Sequence, residues 1–195
     1  MKQEQAIKIA DEIMSLYDNY GNEGYIGEPV SQIEHMCQCA QLAESEKYDD
    51  EVVLAAFFHD IGHLCEHLMD VNLMDGFGIV DHEKIGAAYL REKGFSARIS
   101  KLIESHVAAK RYLTFKNPAY YDNLSDASKS TLKFQGGRMD AKEAMAFEKE
   151  ELFSLYITLR SWDEKAKEEN VPLPDRQRYK DLMIQHLTKQ QIHEY

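Results

Sequence analysis

His59 and Asp60 stand side by side at the end of the apolar run Val52-Val53-Leu54-Ala55-Ala56-Phe57-Phe58, and Ile61-Gly62-His63 follows. Burying an imidazole and a carboxylate in such a run costs several kcal/mol unless something compensates. A bound metal ion compensates both at once, because imidazole nitrogen and carboxylate oxygen are metal ligands. Three further histidines, His35, His82 and His106, and one further carboxylate, Asp163, stand at the starts or within the apolar faces of other segments. Taken singly, each histidine reads as an ordinary surface or core residue. Taken together, on separate helices, they could converge on one buried metal site.

The elements that must carry them read as helices. Ile7, Ala10, Ile13, Met14 and Tyr17 recur at helical spacing over residues 3–19. A glycine-rich loop from Asn19 to Pro29 holds Tyr25, Ile26, Gly27 and Glu28. Ser31 and Glu34 form a capping box, which places His35 in the first turn of a helix reaching about Glu46. Asp49 or Asp50 caps the next helix, expected to run to about Met69 with His59, His63 and His67 on one broad face. Asp81 is expected to cap a helix that starts at His82 and ends at Gly94. Ser96 starts another, carrying His106, and the pattern changes beyond Val107, with Asn117-Pro118 as a breaker. Helices follow over Ser125–Phe134, over Met139–Lys149 and from Glu151 past Trp162 and Asp163, and a last one near 175–190. No strand, repeat or low-complexity segment is evident. The fold class expected is all-α, with roughly eight or nine helices.

The 195 residues suit one domain, and 44% hydrophobic residues suit a packed globule. A formal net charge of −11 argues against nucleic acid or a membrane surface as partner, but leaves room for a small anion in a local basic pocket. No run reaches the 18 apolar residues of a membrane span, and the N-terminus lacks a signal peptide's apolar core. Cys37, Cys39 and Cys65 include no CxxC and read as buried free thiols, so the chain is expected in the cytoplasm. His67, His186 and His193 read as ordinary polar residues, the last two in a polar C-terminal tail, and Trp162, Met69 and Met74 as packing.

The order His35, His59-Asp60, Asp163 resembles the H…HD…D signature of the HD-domain superfamily, and His82 with His106 resembles its two-metal subgroup. The resemblance implies a single HD domain over 1–195, a helical bundle with a metal-binding core at about 31–170 and a buried dinuclear site. It implies that His35, His59 and Asp163 hold one metal, that His82 and His106 hold the other, and that Asp60 bridges them. Four nitrogens and two carboxylates without a thiolate suit iron or manganese better than structural zinc.

A closer likeness lies in the flanking residues: Tyr25-Ile26-Gly27-Glu28, Gln32-x-Glu34-His35, His59-Asp60-x-Gly62-His63, Ser105-His106-x-x-Ala109-Lys110-Arg111-Tyr112-Leu113, Asn117-Pro118-x-Tyr120-Tyr121-Asp122, Gln135-Gly136-Gly137 and Trp162-Asp163-Glu164-x-Ala166-Lys167. Together they are similar to the PhnZ-type phosphonate oxygenases, across about residues 20–185. That likeness implies a mixed-valence Fe(II)/Fe(III) pair that uses O2 to cleave the C–P bond of 2-amino-1-hydroxyethylphosphonate, giving glycine and phosphate. It implies that Tyr25 ligates iron while the site is empty and leaves when substrate arrives, so that Tyr25 and Asp60 act in catalysis. It implies that Glu28 meets the substrate amine, and that His63, Lys110, Ser128, Thr131, Gln135 and Arg160 surround the phosphonate. Lys110, four residues beyond His106, and Arg160, three before Asp163, sit at offsets that keep them beside those ligands. There lysine is expected as a point charge and arginine as a fork. His63 could instead orient a ligand.

Three other readings compete. One is a metal-dependent phosphohydrolase of the broader superfamily, another a regulatory module that binds without turnover. The third is an oxygenase for the trimethylammonium analogue. Tyr25 and Glu28 argue for oxygen chemistry, because a hydrolase has no use for a ligand guarding iron from O2. A primary ammonium can donate hydrogen bonds to Glu28, which favours the amino substrate.

Overall fold

A computed structural model describes residues 1–190 apart from 26, 75 and 77, so Ile26 of the Tyr25–Glu28 motif and His193 lie outside the described residues. Among the described residues the chain is all-α, with no strand. It comprises α1 (Gln3–Tyr20), α2 (Gln32–Ser45), α3 (Asp50–Phe58), a 3-10 helix (Ile61–His67), α4 (His82–Glu92), α5 (Ala97–Lys116), α6 (Pro118–Asn123), α7 (Asp126–Phe134), α8 (Ala141–Phe147), α9 (Phe153–Lys165) and α10 (Gln177–Lys189). That is two elements more than the upper expectation of nine. One is the 3-10 segment; the other is α6, which Pro118 starts rather than prevents, at the N1 position, with the Asn117 side chain as cap.

The capping box at Ser31 forms, with the Glu34 carboxylate accepting from the Ser31 backbone N–H at 2.7 Å. Asp49 caps α3 by accepting from the backbone N–H groups of Glu51 and Val52. The helix expected from there to Met69 stops at Phe58. His59 remains right-handed, Asp60 leaves the helix at φ −108°, ψ 12°, and the chain tightens into the 3-10 turn. Packing against α4 accounts for the break. A Cβ on Gly62 would lie 1.9 Å from the His82 carbonyl oxygen, so only glycine lets the two backbones approach this closely. The three histidines therefore share no face. His63 stacks on His82 with centroids 4.1 Å apart, while His67 stacks on Tyr20 near the surface and meets Glu23.

Asp81 does not cap α4 with its side chain. It adopts the left-handed conformation at φ 57°, and its carboxylate takes Lys84 Nζ at 2.6 Å. Helix α5 continues through Lys110-Arg111-Tyr112 to Lys116 although the pattern changes beyond Val107, because Lys110 and Tyr112 are buried on its inner face.

Helices α2, α3, α4, α5 and α9 pack around the site, and α10 closes the opposite side against α1 and α3. There Phe57 stacks on Tyr179 and packs against the tilted ring of Tyr17, all fully buried. His186 belongs to this packing and not to a polar tail: its ring stacks on Phe95, and its Nε2 accepts from the Ser96 backbone N–H. Trp162 is fully buried against Tyr48, as expected of a core residue. Met69 is 46% exposed and packs no core. No helix among the described residues is long and apolar enough to cross a membrane.

Candidate metal centre

The six candidate ligands meet. His35 comes from α2, His59 and Asp60 from the break after α3, His82 from the first residue of α4, His106 from α5 and Asp163 from α9. All six are buried. The imidazoles face one another in two pairs. Nε2 of His35 lies 3.0 Å from Nε2 of His59, and Nε2 of His82 lies 3.0 Å from Nε2 of His106. Every Nδ1 is turned to a backbone carbonyl, of Ala166, Ala56, Ile79 and Ile103 respectively. Carbonyls only accept, so each Nδ1 donates to its carbonyl and each Nε2 is turned to its partner ring.

Two imidazole nitrogens at that distance repel unless a proton or a metal ion lies between them. The carboxylates complete the arrangement. Asp60 Oδ2 lies 3.4 Å from His59 Nε2 and 3.7 Å from His35 Nε2; its Oδ1 lies 3.4 Å from His82 Nε2 and 3.2 Å from His106 Nε2. Asp163 Oδ1 stands 3.5 Å from His35 Nε2. Ligands about 2.1 Å from a shared ion lie about 3.0–3.4 Å apart, and most of these edges fall in or near that range. Asp60 Oδ1 is buried with no hydrogen-bond partner, a costly state that a metal ion would relieve. The donor set therefore fits two metal ions sharing Asp60.

The electrostatics agree. Burial opposes ionisation of Asp60, but His59 and the other imidazoles hold its carboxyl well below the usual carboxylate range. Burial opposes ionisation of Asp163 as well, and the Arg160 guanidinium outweighs it. Burial, helped by His59, brings His35 down to about 4. For His59 burial is outweighed by Asp60, and its value rises to about 9. Beyond the two Nδ1 protons that pair thus shares at most one more, which can serve the single contact between the two Nε2 atoms, whereas an ion between the rings reaches both nitrogens and the carboxylates.

Tyr25 lies over the first histidine pair. Its hydroxyl donates to Asp60 Oδ2 at 2.8 Å and its ring stacks on His35 with centroids 4.1 Å apart. Burial first, then Asp60, pushes its phenol well above the usual range, so Tyr25 stands here as a neutral phenol on the shared carboxylate. Its loop is seated on α7. Gly27 has φ +72°, and a Cβ there would lie 2.7 Å from Ala127 Cβ.

A cavity of about 50 Å³ opens beside the centre, well above the about 10–15 Å³ that one water needs. Glu28, His63, Lys110, Ser128, Thr131, Gln135 and Arg160 all line it, together with Tyr25, Asp60, His82, His106 and Asp163. Lys110 is buried and donates to Thr131 Oγ1 at 2.9 Å. Burial, reinforced by Arg160, brings its amine down to about 7. Burial, with His82 alongside, brings His63 down to about 3, consistent with a neutral ring packed on a candidate ligand.

Two expected roles change. Arg160 does not present a free fork. Its Nε donates to Tyr120 Oη at 2.9 Å, one terminal nitrogen donates to Asp163 Oδ2 at 2.5 Å, and the other pairs with Glu164. It thereby leaves Asp163 a single oxygen for the histidine side, and two N–H groups remain for a ligand. Glu28 is not a bare carboxylate either: its Oε1 accepts from Lys167 Nζ at 2.7 Å and from Ser125 Oγ at 2.6 Å. Met74, expected to be packing alone, also lines the cavity, as do Gln32, Val107 and Ala127, to which the sequence reading gives no site role. Cys39, one turn after His35, brings its sulfur within 4.8 Å of ligand nitrogens of His35 and His59. Burial pushes its thiol well above the usual range, so it packs beneath the site as a neutral thiol.

Comparison with known proteins agrees with this architecture. The HD domain family model matches residues 33–147, and the chain belongs to that family. Asp163 and Tyr25 lie outside the matched segment, yet the fold brings both to the HD pair. Three relatives cover most of the chain. An uncharacterised protein of Acanthamoeba polyphaga mimivirus is 42% identical over 95% of this chain and 85% of its own. The [1-hydroxy-2-(trimethylamino)ethyl]phosphonate dioxygenase (glycine-betaine-forming) of Leisingera caerulea is 40% identical over 86% of this chain and 84% of its own. The hydroxymethylphosphonate dioxygenase of Gimesia maris is 35% identical over 86% of this chain and 82% of its own.

Proposed function

We propose that this chain is an HD-domain oxygenase, folded as one domain over 1–195, that uses O2 to cleave the C–P bond of 2-amino-1-hydroxyethylphosphonate to glycine and phosphate. The observation that carries the reading is the pair of facing imidazole pairs, each 3.0 Å across, with one oxygen of Asp60 turned to each. A phosphonate substrate is supported by the buried amine of Lys110 beside that centre and by the names of two relatives, each a phosphonate dioxygenase. The reaction balances: substrate plus O2 has the atoms of glycine plus phosphoric acid.

A pair of iron ions, Fe(II)/Fe(III), held by His35, His59, Asp163, Asp60, His82 and His106 would supply the redox chemistry that O2 requires and that no side chain here provides. The chain's own residues do the positioning. Lys110, with Thr131 and Ser128 behind it, neutralises the phosphonate, and Gln135 and the remaining N–H groups of Arg160 add donors. Glu28 attracts the substrate nitrogen at the other end. Tyr25 covers the first histidine pair and is bonded to Asp60; a ligand entering the cavity must displace it to reach that carboxylate. The buried reduced thiols suit the cytoplasm.

Anaerobic reconstitution with iron, followed by addition of substrate and O2, tests the reading. Equal amounts of O2 consumed and of glycine and phosphate formed are expected. Phosphate released from phosphomonoesters without O2 uptake would replace it with a hydrolase.

A further inference from the structure

We propose that Gln32 determines specificity at the nitrogen end of the substrate. Its side-chain oxygen accepts a hydrogen bond from a protonated amine, so the site prefers a primary ammonium to a trimethylammonium. The inference rests on the phosphonate reading above and deepens it. Gln32 is the first residue of α2, and its backbone N–H is satisfied by the Glu23 carbonyl at 3.0 Å. The residue is 5% exposed and lines the cavity, yet its buried Oε1 has no hydrogen-bond partner. A desolvated amide oxygen left in that state is unfavourable, and a ligand that brings a donor relieves it.

Charge cannot make this distinction. Glu28, four residues upstream, would attract either cation, and Lys167 already balances its carboxylate at 2.7 Å. Primary ammonium and trimethylammonium carry the same charge, but only the first has N–H groups to offer. A site built to hydrogen-bond a ligand discriminates strongly against the analogue that leaves its polar group unpaired. A quaternary ammonium is better held by several aromatic faces. Among the described residues, the only Phe, Tyr or Trp lining the cavity is Tyr25, and its ring is stacked on His35.

The test measures binding, independent of turnover. Dissociation constants are taken by anaerobic calorimetry on the iron-loaded protein for 2-aminoethylphosphonate and its N-trimethyl analogue, both lacking the 1-hydroxyl. The wild type is expected to bind the primary amine about tenfold or more tightly than the analogue. Gln32→Leu is expected to bring the two within about threefold by weakening the primary amine alone. Gln32→Glu keeps an acceptor and is expected to keep the preference, which also separates recognition from a folding defect. No preference in the wild type, or a preference that survives Gln32→Leu undiminished, overturns the proposal. Absence of C–P cleavage alongside the expected binding pattern would count against the oxygenase reading and leave the role of Gln32 standing.

Discussion

The carboxylate of Asp60 turns Oδ1 to within 3.2 Å of His106 Nε2, while its other oxygen serves His35 and His59. One side chain thus couples two histidine pairs that come from four different segments. The pairs are equivalent in spacing but not in surroundings: Tyr25 and Asp163 stand only at the first.

Asymmetric metal loss follows from this arrangement. His106→Ala removes a ligand from the second pair only, so metal content should fall from two ions per chain toward one. Asp60→Asn weakens the link shared by both and should lower occupancy at both. Elemental analysis after dialysis reads the stoichiometry. Chelation should also lower the melting temperature, since an ion that binds only the folded chain stabilises it by mass action.

Gly62 sets the distance between the HD pair and His82. Gly62→Ala puts a methyl group against the His82 carbonyl, where an ideal Cβ would stand 1.9 Å away. The backbones must separate, at a cost of about 1–3 kcal/mol or more. The second metal should be lost first, because His82 moves away from His106. A denaturant titration together with metal analysis checks both effects; full occupancy with wild-type stability would show that the close approach is unimportant.

Much of this was legible in the amino-acid order, for physical reasons. The His59-Asp60 pair stood out because imidazole and carboxylate groups are expensive to bury in an apolar run, and the resemblance to the H…HD…D pattern assigned His35, His82, His106 and Asp163 as the other candidate ligands. The end of α3 was not legible. Val52 to Phe58 is apolar all round, so periodicity gives no stop signal, and the break depends on a glycine contact with α4, a tertiary event. The partners of Arg160 were hidden likewise, since Tyr120 reaches it from α6, a helix that begins at an apparent breaker. The Glu28–Lys167 pair joins residues 139 apart, beyond any local pattern.

Arg160 restricts Asp163 to one free oxygen by holding Oδ2 at 2.5 Å. Arg160→Lys cannot keep three directions of contact with a single ammonium. Affinity for the first metal should fall about 10–100-fold, the scale typical when a ligand's supporting hydrogen bond is lost. Competition titration with a chelating dye measures it, and the affinity of the second site should stay within about twofold. Equal losses at both sites would point to a general folding defect.

Lys110 is expected to make activity depend on pH. Its folded value of about 7 lies below the ordinary 10.5. Between these two values the unfolded chain holds a proton that the folded chain does not, so this group makes stability rise with pH across that window. A phosphonate held by the Lys110 ammonium loses that contact when the proton leaves, so on the proposed reading kcat/KM should decline as pH rises through about 7. Lys110→Arg, which stays charged, should remove that decline even if it lowers the maximum. An alkaline limb identical in the two proteins would assign it to another group.

On the proposed reading, oxygen from O2 enters the products of C–P cleavage. Turnover of 2-amino-1-hydroxyethylphosphonate under 18O2, followed by mass spectrometry of the products, tests it most directly. One O2 should be consumed per bond broken, with 18O derived from O2 in the products. Product formation without O2 uptake, with new oxygen drawn only from water, would contradict it.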